Sequence, residues 1–441
     1  MLLGTQKINA HGHLEIGGCD TVDLARAFGT PLYVVDEQAI RDNCRAFKRA
    51  FEAAWPGCEV SYAGKAFLPM AMCRLIDEEG LGLDVATGGE LHTALHAGFP
   101  AGRISVHGNN KSLDELRTAV DAGVGRIVID NIPELEALRT IVSPSCPTPI
   151  HIRVTPGIDP HTHRRIRTGQ ADTKFGLGIP DGQALLAIET AVEMPGVILT
   201  GIHCHAGSQL LDMEAHTAAA EIMVDFMAEA RDTTRWTASE LNLGGGFGIR
   251  YLPEHDPPTP ETAAAAITKV LANALDSHDL PFPRLLIEPG RSIVGEAGIT
   301  LYSIGAIKQV SIPERPFQRL YVSVDGGMSD NPRPQLYDAQ YHALIANRAG
   351  SAPTHIATIA GKHCETDILI QDMRLADPHQ GDILAVLSTG AYNHSMSSNY
   401  NRVPRPALIF VCGGTPTLVI RRETYDDLIA TEMAAGGLKD A

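Results

Sequence analysis

Eight short apolar runs, rich in β-branched residues and separated by helix-like segments, constrain the fold of this chain more than any other feature. They are EVSYAGKA, GLGLDVAT, ISVHGNN, RIVIDN, IHIRVTPG, VILTGIHCHAG, ELNLGGG and RLLIEPG. The first spacings are roughly two dozen residues, the length of one βα unit, and the later ones leave room for inserted loops. Segments 89–97, 113–122 and 262–275 between them are predicted to be helices. Eight βα units in series predict a TIM-type (β/α)8 barrel, although a doubly wound sheet alternates in the same way.

After about residue 295 the pattern changes. Runs such as RLYVSVDGG, DILIQDMRL and ALIFVCGG follow one another with turn residues and little helix between them, which is typical of an antiparallel β domain. Here RPQLYDAQYHAL is predicted to be a helix or an irregular segment, and RRETYDDLIATEM a short closing helix. The stretch to about residue 29 is expected to pack on this domain. We therefore place the barrel at 32–294 and a β-sandwich or barrel-like domain at 1–31 and 295–441.

Length, charge and cysteine usage narrow the class of protein. The chain has 441 residues, which favours two domains, and a net charge of −16, which argues against a nucleic-acid footprint. No apolar run reaches membrane-span length, and the start MLLGTQKINAHGH lacks the plan of a signal peptide. The eight scattered cysteines, without a C-x-x-C pair, suggest neither a disulfide framework nor a zinc site. A soluble, cytoplasmic protein with reduced thiols and no metal is expected.

Most of the eight runs are apolar where they start and polar where they end. The residues at or near those ends are Lys65, Asp84, His107, Asn109, Asp130, Arg153, His203, His205, Gly244, Gly245, Gly246, Glu288 and Arg291. In a barrel the carboxyl ends of the strands converge on one mouth, where active sites lie. Turns are polar in any fold, which explains the Asp and Asn residues but explains two histidines, three glycines and an arginine less well.

Lys65, in the stretch YAGKAF, lies among small and apolar neighbours. A lysine at a strand end often extends its amine to water along an apolar stem. The alternative is a desolvated amine with a lowered pKa that attacks a carbonyl carbon. The lysine by itself leaves both interpretations open.

Three further motifs have both a chemical and a structural interpretation. The glycines of LNLGGGFG could form a backbone nest for phosphate or only a tight turn. In HCHAGSQ, His203 and His205 are expected on opposite faces of a strand, with one ring at the mouth and Ser208 near a phosphate. Glu288 in IEPGR could form a salt bridge, and a lone Cys364 is usually inert. A lysine, a phosphate nest and a carboxylate together suit pyridoxal 5'-phosphate.

At this point the chain resembles the fold-type III, pyridoxal-phosphate-dependent decarboxylases, with the alanine racemase-like fold, over almost its whole length. The motifs that carry the resemblance are YAGKAF, GLGLDVATGGEL, HGNNKS, RVTPGIDPHTHRRIRTGQADTKFGLG, GIHCHAGSQ, LNLGGGFGIRY, IEPGRSIV, VDGGMSDNPRPQLYDA, GKHCETDIL and GAYNHSMSSNYN. Within the family, HTH and the stretch from Thr168 to Gly176 indicate the diaminopimelate branch rather than the ornithine branch. One departure is Thr366, where serine is expected; it keeps the hydroxyl and adds a methyl group.

The resemblance implies a role for each site residue. Lys65 would form the Schiff base, His205 would stack on the cofactor ring, and Glu288 would keep the pyridine nitrogen protonated. The other expected cofactor-binding residues are Asp84, Ser208, Gly245, Gly246, Gly290, Arg291 and Tyr392. Those expected to bind the substrate are Arg291, Arg333, Tyr337, Glu365, Thr366 and Tyr392. Cys364 would donate a proton, reaching in from the second subunit of a homodimer with shared active sites.

The reaction that the resemblance implies is decarboxylation of meso-2,6-diaminopimelate to L-lysine and carbon dioxide, the last step of lysine biosynthesis. A decarboxylase of ornithine, arginine or carboxynorspermidine is the main alternative. An amino-acid racemase tends to place arginine at the pyridine nitrogen, against the acidic IEPGR. A non-catalytic relative would be expected to lose the lysine or the cysteine, and both are present.

Overall fold

The eight predicted strands form a closed parallel barrel in the computed structural model, which describes residues 1–157, 173–311 and 318–433. We label them β1 to β8: Glu59–Ala63, Gly82–Val85, Ile104–Val106, Arg126–Ile129, Thr148–Thr155, Val197–His203, Glu240–Asn242 and Arg284–Ile287. Each strand pairs in parallel with the next, and β8 pairs with β1. A short strand, Leu177–Gly178, adds to β5. The predicted TIM-type barrel is confirmed.

A helix follows each barrel strand. They are Met70–Glu78, Gly88–His96, Leu113–Ala122, Ile132–Arg139, Gln183–Val192, Glu214–Thr234, Pro260–Ser277 and the single turn Arg291–Val294, and the helix Glu37–Ala54 precedes β1. Local signals set the helix ends: Leu113–Ala122 begins with a capping box between Ser112 and Glu115 and stops at Gly123 in the left-handed region. The three helices predicted from the sequence are present, with ends shifted by at most two residues.

The chain divides into two compact units, one of residues 41–249 and 255–293, the other of residues 1–40, 250–254 and 294–441. The main sheet of the second unit contains Leu32–Asp36, Gly298–Ser311, Gln318–Val324, His355–Ala360, Ile368–Leu375, Ala407–Cys412 and Thr415–Ile420, with Ala343–Ile345 and Ile383–Val386 joined to it. Two of the pairings between these strands are parallel and the others are antiparallel. The predicted, mainly antiparallel β domain is confirmed.

The strand Leu32–Asp36 belongs to this β unit. It pairs antiparallel with Gly298–Ser311 and parallel with Ala407–Cys412. The boundary predicted at residue 32 lies before this strand, whereas the structure divides the units after residue 40. The strand is buried throughout, like a barrel strand, so its composition did not reveal which sheet it joins.

The N-terminal stretch packs within the β unit, as predicted. It contains the strands Lys7–Ile8, Leu14–Ile16 and Cys19–Asp20 and the helix Thr21–Phe28. Its buried residues Leu14, Ile16 and Leu24 share one core cluster with Ile409 and Val411 of the main sheet. This burial removes apolar surface from water and is the main stabilisation of such a contact.

Two segments of the β unit were predicted to be helical or irregular. RPQLYDAQYHAL contains the five-residue helix Arg333–Tyr337. The predicted closing helix is wrong: only the 3-10 turn Asp427–Ile429 forms, because Asp427 is held by Arg421 and by the backbone N–H of Thr424, bonds that compete with a helix. The other 3-10 turns are Gly64–Ala66, Ala101–Arg103, Ala346–Arg348, His394–Met396 and Tyr400–Arg402. No helix of the described part is long and apolar enough to cross a membrane.

Candidate active site

A cavity of about 330 Å³ opens at the carboxyl ends of the barrel strands. Its polar lining side chains are Lys65, Asp84, His107, Arg153, His203, His205 and Glu288. They come from β1, β2, β3, β5, β6 and β8 or the residues directly after them. The parallel barrel therefore collects at one mouth the side chains that the sequence places at strand ends.

Glu288, the first residue after β8, is contacted by three polar side chains. It is only 8% exposed, and its Oε1 accepts a hydrogen bond from Asn242 Nδ2 at 2.6 Å. His107 Nε2 lies 3.2 Å from Oε1, and His203 Nε2 lies 3.3 Å from Oε2. Burial alone would raise the pKa of Glu288, but the two histidines outweigh it and hold that pKa well below its usual range. The cavity thus contains a buried carboxylate that stays ionised.

His107 is the cationic neighbour of this carboxylate. Burial lowers the pKa of His107, but the charge of Glu288 and the contact with Asp84 raise it overall to about 9. Asp84 is also buried, its oxygens accept no hydrogen bond within the described residues, and His107 Nε2 is 3.8 Å away. Burial, followed by the charge of Glu288, raises the pKa of Asp84 to about 7. The cavity therefore has one ionised carboxylate, Glu288, and a second acid, Asp84, whose pKa is raised.

Both histidines of HCHAGSQ line the cavity, so the expectation that one ring faces away from the mouth is wrong. Residues two apart along an extended chain point to the same face, so the period of a strand places both rings on one side. The backbone N–H of Gly245 donates to His205 Nδ1 at 3.3 Å. Burial lowers the pKa of His203 to about 3 and that of His205 well below its usual value, so both rings are neutral.

Lys65 lies in the turn Gly64–Ala66, directly after β1. Its side chain is exposed in the single chain and makes no hydrogen bond or ion pair within the parts that the structure describes. Burial by the chain itself therefore does not desolvate this amine. What the fold does provide is an unpaired amine at the wall of a cavity whose anion, Glu288, is already paired with His107.

The glycines form a tight cradle rather than only a turn. Gly244 and Gly246 adopt left-handed φ values of 69° and 98°. A Cβ on Gly245 would lie 2.1 Å from the carbonyl oxygen of Glu288, and one on Gly290 would lie 2.9 Å from Ala63 Cβ. Across residues 1–157, 173–311 and 318–433, the amides of Gly246 and Gly290 donate to no acceptor. Such unpaired amides, approached closely because no side chain intervenes, suit an anion.

Two hydroxyl groups belong to the loops around these glycines: Ser208 follows Gly207, whose carbonyl oxygen would lie 2.4 Å from a Cβ on Gly246, and Ser292 is two residues after Gly290. Arg291 Nη2 donates to Ser208 Oγ at 2.9 Å, which joins the loop after β6 to the loop after β8. The hydroxyl of Ser292 is buried and has no partner in the described part of the chain. An unsatisfied buried hydroxyl is costly, so this one also favours a bound polar group.

Five residues of the cavity network were not assigned a site role from the sequence. His107, Arg153 and His203 were recognised only as polar strand ends, and Asn242 and Phe175 were not recognised at all. Arg153 lies 3.5 Å from Asp130 and stacks 4.6 Å from the centre of the Phe175 ring. Asn242 is the last residue of β7, so the rule that strand ends carry the chemistry could have identified it.

The remaining predicted site residues lie in the β unit and form two sets. In the first, the guanidinium of Arg333 lies 5.3 Å from the ring centres of both Tyr337 and Tyr392. Tyr337 is 60% exposed, and the Nε of Arg333 is buried without a partner among the described residues. This arrangement presents a cation and two phenols, groups that bind a carboxylate.

The second set is the segment Cys364, Glu365 and Thr366, whose three side chains are exposed on the β unit. The hydroxyl of Tyr400 donates to Glu365 Oε1 at 2.8 Å, and the N–H of Cys364 donates to Asn401 Oδ1 at 3.1 Å. Of the motif that indicated the diaminopimelate branch, residues 161–163 and 168–172 lie outside the described residues.

The geometry of the barrel mouth allows two kinds of occupant. The ligand atoms of His107, His203 and Glu288 lie within 4.8 Å of one another, and two histidines with a glutamate are a known ligand set for zinc. A protonated heterocycle would suit the ionised Glu288 in the same cavity, and a phosphate would suit the unpaired amides of Gly246 and Gly290. Relatives of the chain decide between these occupants.

Comparisons with known proteins give one answer. Residues 37–295 match the family model described as pyridoxal-dependent decarboxylase, pyridoxal binding domain. The chain is 47% identical over 434 residues to the diaminopimelate decarboxylase of Bacillus subtilis (strain 168), covering 98% of each chain. It is 45% identical over 425 residues to that of Mycobacterium leprae (strain TN), covering 95% of this chain and 89% of the other. The solved diaminopimelate decarboxylase of M. jannaschii in co-complex with L-lysine superposes with a TM-score of 0.91 at 34% identity, covering 99% of this chain and 100% of that one.

Proposed function

The chain belongs to the diaminopimelate decarboxylases, a family of pyridoxal-dependent decarboxylases, and we propose which of its side chains carry the reaction. The enzyme converts meso-2,6-diaminopimelate to L-lysine and carbon dioxide, the last step of lysine biosynthesis, with pyridoxal 5'-phosphate as cofactor. The observation that carries the site assignment is the ionised, buried Glu288 in a cavity that also holds the unpaired amine of Lys65.

The residues present fit the cofactor. Lys65 would bind it covalently, and the amides of Gly245, Gly246 and Gly290 would surround its phosphate, with Ser208 and Arg291 beside them. His205, a neutral ring at the mouth, would stack on the heterocycle, and Asp84 would lie near it. Tyr392 of the β unit is proposed to complete the phosphate site. When bound, pyridoxal phosphate accepts the electron pair that the departing carboxylate leaves behind.

Glu288 is proposed to keep the pyridine nitrogen protonated. A carboxylate with a depressed pKa stays charged through the working pH range and favours a cation facing it. Asn242 fixes its Oε1 and His203 its Oε2, so the anion is oriented before the cofactor arrives. Neutral His203 contributes a hydrogen bond without adding a competing positive charge.

The distal amino-acid group of the substrate needs a cation for its carboxylate and an anion for its ammonium. We assign the carboxylate to Arg291, Arg333 and Tyr337, with Tyr392 beside them, and the ammonium to Glu365 with Thr366. Arg333 between two phenols and the exposed carboxylate of Glu365 support this division. Cys364 is proposed to deliver a proton to the α-carbon after carbon dioxide has left.

We further propose that the active sites are shared in a homodimer, with Cys364 and Glu365 reaching the barrel of the partner. Exposure of this segment in the single chain supports the idea, because a residue that serves another subunit must lie at the surface of its own. The proposed location is the cytoplasm, which the eight free cysteines favour.

A decarboxylase of ornithine, arginine or carboxynorspermidine remains the alternative to be tested. These substrates lack the distal carboxylate, so Arg333 would have no anion to bind. The experiment is a carbon dioxide release assay on meso-, LL- and DD-diaminopimelate and on ornithine, with and without added cofactor. We expect turnover of the meso isomer that depends on cofactor and is lost in Lys65→Ala. Turnover of ornithine alone would contradict the assignment.

A further inference from the structure

The last four residues of the motif GAYNHSMSSNYN, 398–401, have no role in the function described so far. Tyr400 from this segment donates its hydroxyl hydrogen to Glu365 Oε1 at 2.8 Å. The other carboxylate oxygen of Glu365, Oε2, has no partner among the described residues. The phenol therefore occupies one oxygen and leaves the second available to a ligand.

The ring of Tyr400 packs on a buried pair of side chains, His363 and Asp367. It stacks on the ring of His363, with centres 5.8 Å apart and planes 20° apart. His363 Nδ1 lies 2.6 Å from Asp367 Oδ2, and the side chains of this pair are 0% and 2% exposed. The N–H of Met328 donates to Asp367 Oδ1 at 2.8 Å, so both oxygens of the aspartate are engaged.

Two glycines allow the backbone to pack closely against the His363–Asp367 pair. A Cβ placed on Gly327 or on Gly361 would lie 2.0 Å from Asp367 Oδ2, so neither position accepts a side chain. The backbone thus approaches the His363–Asp367 pair as closely as sterics permit, and the stacking partner of Tyr400 cannot shift without moving the chain.

A second hydrogen bond, between Asn401 and Cys364, joins the same two segments. Asn401 adopts a left-handed φ of 52°, a conformation that asparagine tolerates better than most residues. Its Oδ1 accepts the N–H of Cys364 at 3.1 Å. Two consecutive residues, Tyr400 and Asn401, therefore hold two consecutive residues, Cys364 and Glu365, one through a side chain and one through the backbone.

We infer that Tyr400 is a positioning residue that fixes the carboxylate of Glu365 for the ammonium of the distal amino-acid group of the substrate. This rests on the proposed role of Glu365 in substrate binding. A free glutamate side chain samples many rotamers, and ordering it on binding reduces affinity. The phenol sets its orientation in advance, so Tyr400 acts on substrate binding rather than on the chemical step.

The test removes the hydroxyl alone with Tyr400→Phe, which keeps the ring on His363. The KM for meso-diaminopimelate is expected to rise about three- to tenfold, the range covered by one hydrogen bond, while kcat changes less than about twofold. The calorimetric Kd for L-lysine, which retains the distal group, should weaken by a similar factor. The cofactor absorbance should stay unchanged. The matched control is Tyr425→Phe, at a phenol of the same unit that is 78% exposed.

A double-mutant cycle separates this inference from the function on which it rests. If Tyr400 acts through Glu365, then Tyr400→Phe adds no further rise in KM to Glu365→Gln. Equal effects in both backgrounds, or an unchanged KM for Tyr400→Phe, would overturn the inference. If Glu365→Gln raises KM and Tyr400→Phe does not, Glu365 keeps its proposed role and only the inference fails. If Glu365→Gln leaves KM unchanged, the proposed role of Glu365 fails, and the inference fails with it.

Discussion

Replacing Arg126 with methionine should destabilise the barrel far more than the same change at Arg284. Both arginines bind the same two carboxylates, Glu59 and Glu240, at the amino-terminal ends of the strands. The side chain of Arg126 is 7% exposed, whereas that of Arg284 is 49% exposed. Comparing the two variants therefore measures how much burial increases the contribution of an ion pair to stability.

The contacts of Arg126 determine how much unfolding free energy the substitution should remove. Its guanidinium donates to Glu59 at 2.8 and 3.2 Å and to Glu240 at 2.8 and 3.1 Å. Removing one partner of a buried ion pair costs about 3–5 kcal/mol, because the remaining charge is left buried and uncompensated. Here Arg284 still pairs with Glu59, and His151 Nε2 still lies 2.8 Å from Glu240, so about 3 kcal/mol is expected. For the exposed Arg284 the expected loss is below about 1 kcal/mol.

The assay is urea unfolding of the holoenzyme followed by tryptophan fluorescence. The chain has two tryptophans, Trp55 and Trp236, and both belong to the barrel unit, so the signal reports that unit. A loss of 3 kcal/mol shifts the midpoint by about 1 M if the slope is about 3 kcal/mol per M. Equal shifts for Arg126→Met and Arg284→Met, or a shift near zero for Arg126→Met, would refute the argument from burial.

The pH dependence gives a second check. Partial burial alone would raise the pKa of Glu240, but hydrogen bonds from His151 and Arg126 lower it overall. A depressed pKa contributes stability that is present above the unfolded pKa of about 4.3 and is lost as pH falls through the folded pKa. The difference in the free energy of unfolding between wild type and Arg126→Met should therefore have its full value at pH 7 and decrease below about pH 4. A difference that increases on acidification would contradict the lowered pKa of Glu240 on which this prediction rests.

Three further predictions concern the active site. Lys65→Ala should abolish the absorbance band of the bound cofactor and the activity, with a urea midpoint equal to that of cofactor-free wild type, because a bound cofactor stabilises the folded state; turnover near the wild-type rate would show an ordinary strand-end lysine. Glu288→Gln should keep the cofactor bound but lower kcat by about a hundredfold, because a preorganised charge is removed, and unchanged turnover would remove Glu288 from the mechanism. Mixing inactive Lys65→Ala and Cys364→Ala chains should restore about a quarter of full activity, because half of randomly paired dimers are mixed and each has one intact site. No recovery despite demonstrated subunit exchange would place the whole site within one chain.

Much of the barrel could be predicted from local sequence patterns. The eight β-branched runs, the helix Leu113–Ala122 with its capping box, and the change of pattern near residue 295 depend on neighbouring residues, and all appear in the structure. Local patterns also put Lys65, Asp84 and Glu288 at or beside strand ends. Once eight parallel strands close, those ends must share one mouth, so the cavity followed from the count. The assigned roles of these residues stay predictions until the variants are measured.

Local patterns misplaced what depends on partners distant in the chain. Leu32–Asp36 looks like a barrel strand, yet it pairs with strands that begin at residues 298 and 407. The segment after residue 421 has a helical composition, but Asp427 is held by Arg421 and by the backbone of Thr424.

The sequence by itself determined the fold class and the kinds of side chain available to the site, because periodicity and strand-end polarity are properties of neighbouring residues. Only the tertiary structure decided the state of those side chains. Asn242 and Glu288 are 46 residues apart, and His107 is farther still, yet closure of the barrel brings them within 3.2 Å of the same carboxylate. Burial in that closed barrel makes His203 neutral, whereas the charges that folding brings together keep His107 cationic and Glu288 ionised in spite of their burial.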